Sequence, residues 1–159
     1  EFAKHYANTF DDVLNTGRCA VFLGLPGTGK THLAVGIGQQ IMRRDNRSVY
    51  FTTVMRAIRR IRDTWSRKSE ESESSAIAAL TYPDLLILDE VGVQSGSESE
   101  KNQLFDVLNE RYEKHKPTLL LSNLTLPEVK AFLDERVFDQ LKEDSREIIP
   151  FTWKSHHDE

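Results

Sequence analysis

One short run leaves few folds open to this chain. Gly24-Leu25-Pro26-Gly27-Thr28-Gly29-Lys30-Thr31 fits G-x-x-x-x-G-K-[ST], directly after an apolar stretch and at the mouth of a segment with helical period. Glycines at 24, 27 and 29 let the backbone curl until successive N–H groups converge, and the positive end of the following helix reinforces them. Such a loop cradles phosphate. Gly24, Pro26, Gly27, Thr28, Gly29, Lys30, Thr31 and His32 form the candidate cradle. Lys30 is expected to pair with the β- and γ-phosphates and the Thr31 hydroxyl to bind Mg²⁺. The bland alternative is a glycine-rich strand-to-helix turn with no ligand.

Around this loop, short apolar runs alternate with longer amphipathic stretches, the pattern of an α/β domain with a largely parallel sheet. Strands are expected at Cys19 to Leu23, Ser48 to Thr52, Leu85 to Asp89, Thr118 to Ser122 and Glu147 to Phe151, with helices at about 30–44, 54–66, 99–115 and 126–143. The nearly all-apolar third strand should be central, buried on both faces. Pro150 cannot donate a ladder hydrogen bond, which assigns the fifth strand to a sheet edge. Thr125 with Glu128, and Ser97 with Glu100, have capping-box spacing at two helix starts. The Ser/Glu-rich stretch from Ser66 to Ser75 is too polar to bury and reads as a mobile surface loop.

Composition narrows the class further. The 159 residues are 38% hydrophobic and 29% charged with a net charge of −4, which suits one water-soluble domain and not a disordered chain. No apolar run approaches the roughly 20 residues of a membrane helix, so no membrane association is expected. The single cysteine, Cys19, allows no intramolecular disulfide and fits a buried thiol on a strand in a reducing cytoplasm. The chain opens on Glu1 without a secretory pattern, and residues 1–17 read as a linker or helix leading from an absent upstream domain into a domain spanning 18–159.

Two further strand ends carry chemistry. Leu85-Leu86-Ile87-Leu88-Asp89-Glu90 puts two carboxylates at the C-terminal end of a buried strand, where open α/β sheets bind ligands. Asp89 is the expected Mg²⁺ partner, and Glu90 the group that takes a proton from an attacking water. Ser122-Asn123 closes the next strand, and the Asn123 amide either orients the water near the γ-phosphate or is a turn residue bonded to nearby backbone.

With the phosphate loop, LLILDEVG and LLLSNL in this order and spacing, the chain resembles the AAA+ ATPases of the bacterial helicase-loader group, the DnaC and DnaI type, with the IstB transposition helpers close by. The likeness covers residues 18–157 and includes Asp134-Glu135-Arg136-Val137-Phe138-Asp139-Gln140-Leu141 and Phe151-Thr152-Trp153-Lys154-Ser155. It is similar to a DnaC-like loader of a prophage or phage. The resemblance implies a P-loop NTPase whose five-stranded parallel sheet runs 5-1-4-3-2, with helices on both faces and little or no lid. It also implies ATP or ADP with Mg²⁺ as ligands, a replicative helicase and single-stranded DNA as partners, and self-association that shares ATP between subunits. Arg136 matches a family arginine and is the candidate finger acting on a neighbour's ATP. Gln140 and His157 stand where loaders commonly carry arginines, and Arg146 is another possible substitute, so ATP binding is expected with weak turnover.

Val54 to Lys68 gathers six of the chain's 21 basic residues against one acid, Asp63. On a helix, Val54, Ile58, Ile61 and Trp65 would share a buried face, with Trp65 in the core, and arginines would face solvent. Arg56, Arg59 and Arg60 are the candidate contacts to a single strand; a merely soluble helix face is the alternative. The functional expectation is an ATP-hydrolysing domain of a replicative helicase loader. A transposition helper acting on duplex DNA and a nucleotide-regulated assembly module with negligible hydrolysis are the competing readings. A small-molecule kinase fits less well, because the Asp89-Glu90 pair suits water activation.

Overall fold

The computed structural model describes residues 19–27, 29–92, 98–133, 135, 137–139 and 147–151. Its elements run β1 (Ala20–Gly24), α1 (Lys30–Asp45), β2 (Val49–Thr53), α2 (Val54–Asp63), α3 (Glu73–Thr81), β3 (Leu85–Asp89), α4 (Glu98–Glu113), β4 (Thr118–Ser122), α5 (Leu126–Phe132) and β5 (Glu147–Phe151). All strand pairs are parallel, in the order β2-β3-β4-β1-β5, which is 5-1-4-3-2 read from the other edge. The strand that contains Pro150 lies at an edge as expected. β3 is interior, flanked by β2 and β4, while the middle position belongs to β4.

The two-residue period of the strands splits the core between two faces. Ala20, Phe22, Leu85, Ile87, Leu119 and Leu121 pack with Ala34, Ile37 and Ile41 of α1 on one side. Val21, Leu23, Leu86, Leu88 and Leu120 pack on the other against Val54, Ile58 and Ile61 of α2, Leu80 of α3, and Leu104 and Leu108 of α4. Helices therefore cover both faces, and the strand interiors between them are mainly apolar, with polar residues such as Thr53, Asp89 and Ser122 at their C-terminal ends. α1 comes close to the sheet at Gly38, where an added Cβ would lie 3.1 Å from Val49 Cγ1 and 3.3 Å from Ile87 Cδ1. Cys19 is buried one residue ahead of β1.

Several expectations need correction. The stretch expected to be a mobile loop is a bonded turn that ends in a helix start: Ser72 accepts the Ser75 N–H and caps α3, whose Ala76, Leu80 and Thr81 are buried. Glu71 bridges back to α2, accepting from Arg60 Nε at 2.9 Å and Nη2 at 2.7 Å. α2 stops at Asp63 instead of reaching residue 66, so Trp65 leaves the apolar stripe, is 46% exposed, and donates its indole N–H to Glu73. The helix from Leu126 breaks at Leu133, which is extended (φ −75°, ψ 144°), and this turn lets Leu133, Val137 and Phe138 enter one core. Ser97, of the second capping pair, lies outside the described residues, whereas Thr125 and Glu128 form a reciprocal capping box.

Arg111 of α4 is fully buried, a position composition alone would never suggest for an arginine. Its guanidinium donates to the carbonyls of Leu80, Thr81, Pro83 and Pro117 and to Thr118 Oγ1, at 2.8–3.2 Å. It thereby fastens the chain entering β3 to the chain entering β4. No helix among the described residues is long and apolar enough to cross a membrane.

Candidate functional site

The C-terminal ends of β1, β3 and β4 meet the start of α1, and the polar residues singled out above converge there. Gly29 caps α1 with φ 92°, a left-handed conformation that glycine adopts without the Cβ penalty, and Gly27 holds φ 82°. The loop can thus fold back over the helix start. Lys30 is buried, and its Nζ donates to Gly24 O at 2.6 Å, Leu25 O at 3.0 Å and Asn123 Oδ1 at 3.0 Å. Burial pushes the Lys30 pKa below its ordinary value, and the charge of Asp89 offsets part of that. A polyphosphate would supply the counter-charge that burial calls for.

Beside Lys30, Thr31 Oγ1 donates to Asp89 Oδ2 at 3.0 Å, while Asp89 Oδ1 accepts the Glu90 N–H at 2.7 Å. A hydroxyl and a carboxylate side by side are hard oxygen donors, the set Mg²⁺ takes when phosphate oxygens and water complete its shell. Glu90 is exposed and holds φ 57°. A left-handed residue with a Cβ costs about 1–2 kcal/mol and persists only where its surroundings enforce it.

These groups open on a cleft of about 650 Å³, lined by Pro26, Gly27, Gly29, Lys30, Thr31 and His32 on one side and by Asp89, Glu90 and Asn123 on the other. That volume suits a nucleotide-sized ligand, for which pockets of about 300–1,000 Å³ are usual. Gly24 joins the site through its carbonyl bond to Lys30. Thr28, Arg136, Gln140, Arg146 and His157 lie outside the described residues. Arg56, Arg59 and Arg60 on α2 do not line the cleft. Arg56 and Arg59 are exposed, but Arg60 is held by Glu71 and by a bond from Nη1 to Tyr50 Oη at 3.2 Å, so the expectation that it faces solvent freely is not met. The Glu71 hydrogen bonds raise the Arg60 pKa further.

Sequence reasoning missed Ser122, which is 1% exposed and bonded to the turn after Glu90. Its one sequence signal is its place beside Asn123; its partners are 31 positions away in the chain at Val91 and two away at Leu124.

A phosphate loop after the first strand, an acidic tip on an interior strand and an amide on its neighbour, set on a sheet of order 5-1-4-3-2, define an AAA+ nucleotide-binding domain. Within that class the match is specific: residues 11–142 fit the family described as IstB-like ATP binding protein, and the chain belongs to that family. Among curated relatives it is 34% identical over 154 residues to the replicative helicase loader DnaC of Escherichia coli strain K12, covering 97% of this chain and 61% of the relative. The chain thus spans about three-fifths of the length of such relatives. Its fold is similar to that of a crystal structure of the DnaC helicase loader, with a TM-score of 0.82 at 21% identity over 95% of this chain and 86% of the other. It is also similar to the replication initiator DnaA bound to AMPPCP and single-stranded DNA, with a TM-score of 0.77 at 18% identity over 96% of this chain and 44% of that one.

Proposed function

We propose that this chain is the ATP-binding and ATP-hydrolysing domain of a replicative helicase loader, acting with single-stranded DNA in the cytoplasm. The observation that carries the reading is the joint geometry of Lys30 with Asn123 and of Thr31 with Asp89, with Glu90 beside them. The cradle N–H groups and Lys30 bind the triphosphate; Thr31 and Asp89 would hold Mg²⁺, which would neutralise phosphate charge. Water oxygen bonds to the γ-phosphorus as the bond to the bridging oxygen breaks. The electron pair leaves on ADP, and the water's proton passes to Glu90. Asn123 orients the water or the γ-phosphate.

Subunits self-associate around shared ATP, with Arg136 of one copy completing the site of the next. An arginine acting in trans can be worth about 10³ or more in rate. A replicative helicase is its protein partner. Arg56 and Arg59 neutralise phosphates of the single strand, and Trp65, exposed at the end of the same helix, offers a face on which a base can stack. Arg60, committed to Glu71, contributes less.

Steady-state phosphate release with and without a single-stranded oligonucleotide tests the reading. Turnover stimulated by the single strand supports it, while negligible turnover under both conditions favours a nucleotide-regulated assembly module. The family also includes the transposition-type reading, so binding to single-stranded and duplex oligonucleotides should be compared. A marked duplex preference would contradict the loader assignment.

A further inference from the structure

We propose that Ser122 is a positioning residue that couples Glu90 to the phosphate side of the cleft, an assignment that rests on the hydrolytic reading above. Its buried hydroxyl donates to Val91 O at 2.6 Å and accepts the Leu124 N–H at 3.1 Å. Val91 follows Glu90, and Leu124 follows Asn123. One hydroxyl therefore bridges the backbone immediately after each of the two polar groups that act on the water. The Val91 N–H, donating to Leu121 O at 2.9 Å, fixes the same turn to β4 from its other side.

Packing closes the junction as well. Gly92 has φ 94°, and a Cβ there would overlap Leu124 Cδ1, so the turn after Glu90 nests directly on the Leu124 side chain. Glu90 keeps its left-handed φ of 57° only if its surroundings over-determine it, and these contacts are such surroundings. Since Asn123 accepts from Lys30 at 3.0 Å, a continuous set of short links runs from the phosphate-binding lysine through Asn123 and Ser122 to Val91 and Glu90. A shift of Lys30 and Asn123 toward a γ-phosphate is transmitted to the Glu90 carboxylate through this clamp.

The test compares Ser122→Ala and Ser122→Thr with the parent chain by calorimetric titration of a non-hydrolysable ATP analogue with Mg²⁺, single-turnover ATP hydrolysis and thermal melting. Ser122→Ala should bind the analogue within about threefold of the parent yet hydrolyse at least about tenfold more slowly, and Ser122→Thr, which keeps the hydroxyl, should recover most of the rate. A purely structural hydrogen bond would lower the melting temperature and leave the rate of the folded fraction unchanged. Turnover by Ser122→Ala within about twofold of the parent, or affinity lost in step with rate, overturns the assignment and leaves the hydrolytic reading standing. Should Ser122→Ala fail to fold, Leu124→Ala loosens the same junction and carries the same expectation; unchanged turnover there overturns it. Absence of turnover in the parent removes the hydrolytic reading and this assignment with it.

Discussion

At the scale of single residues, groups that bind ATP differ from the group that takes the proton. Glu90→Gln keeps the shape and removes the base, so it should leave ATP affinity within about threefold and cut turnover by about 10²–10⁴. Glu90→Gly should also end turnover, but it removes the Cβ from a residue at φ 57° and should stabilise the fold by about 1 kcal/mol in denaturant melts. Equal or lower stability would argue against strain at that position. Asp89 and Glu90 were legible in the sequence because two acids end an otherwise apolar run. Ser122 was not, since a serine beside an asparagine gives no sign that its hydroxyl bonds across to the end of another strand. Trp65 misled because its spacing continues the apolar stripe of α2, while the helix ends at Asp63 and turns the indole out to Glu73.

At the scale of elements, α1 offers a controlled comparison between two glycines in one helix. A Cβ at Gly36 meets nothing within 4 Å, whereas at Gly38 it meets Val49 and Ile87 at 3.1 and 3.3 Å. Gly36→Ala should therefore raise stability by about 0.5–1 kcal/mol, and Gly38→Ala should give less or lose it, as read by equilibrium unfolding. In α5, the Thr125 backbone N–H and hydroxyl hold the Glu128 pKa below its ordinary 4.5. A depressed carboxylate pKa favours the folded state above the ordinary value, and that contribution fades as pH falls through the lowered one. Glu128→Gln should thus show a shallower loss of melting temperature on acidification; an unchanged slope would count against the capping box. Strand positions were readable within a residue or so from apolar runs. α3 was missed because Ser and Glu dominate its entry and hide the Ala76-Ile77-Ala78-Ala79-Leu80 run that packs it down.

At the scale of the whole molecule, the sheet order brings the site together: β3 and β4 are neighbours, and β4 lies beside β1, so the ends that carry Asp89, Asn123 and the phosphate loop open on one cleft. Pro150 alone pointed to an edge for β5, but the full order came from the resemblance, because apolar runs do not say which strand pairs with which. The buried Arg111 that ties the entries of β3 and β4 was beyond reach for the same reason: it donates to the backbone carbonyls of Leu80, Thr81, Pro83 and Pro117, and carbonyls carry no residue-type signal. On the proposed reading, these strand ends enclose the triphosphate of ATP. Calorimetric titration of ATP with Mg²⁺ into the parent chain and into Lys30→Ala tests this directly: saturable one-to-one binding to the parent and none detectable to the variant is expected, and equal binding to both would contradict it.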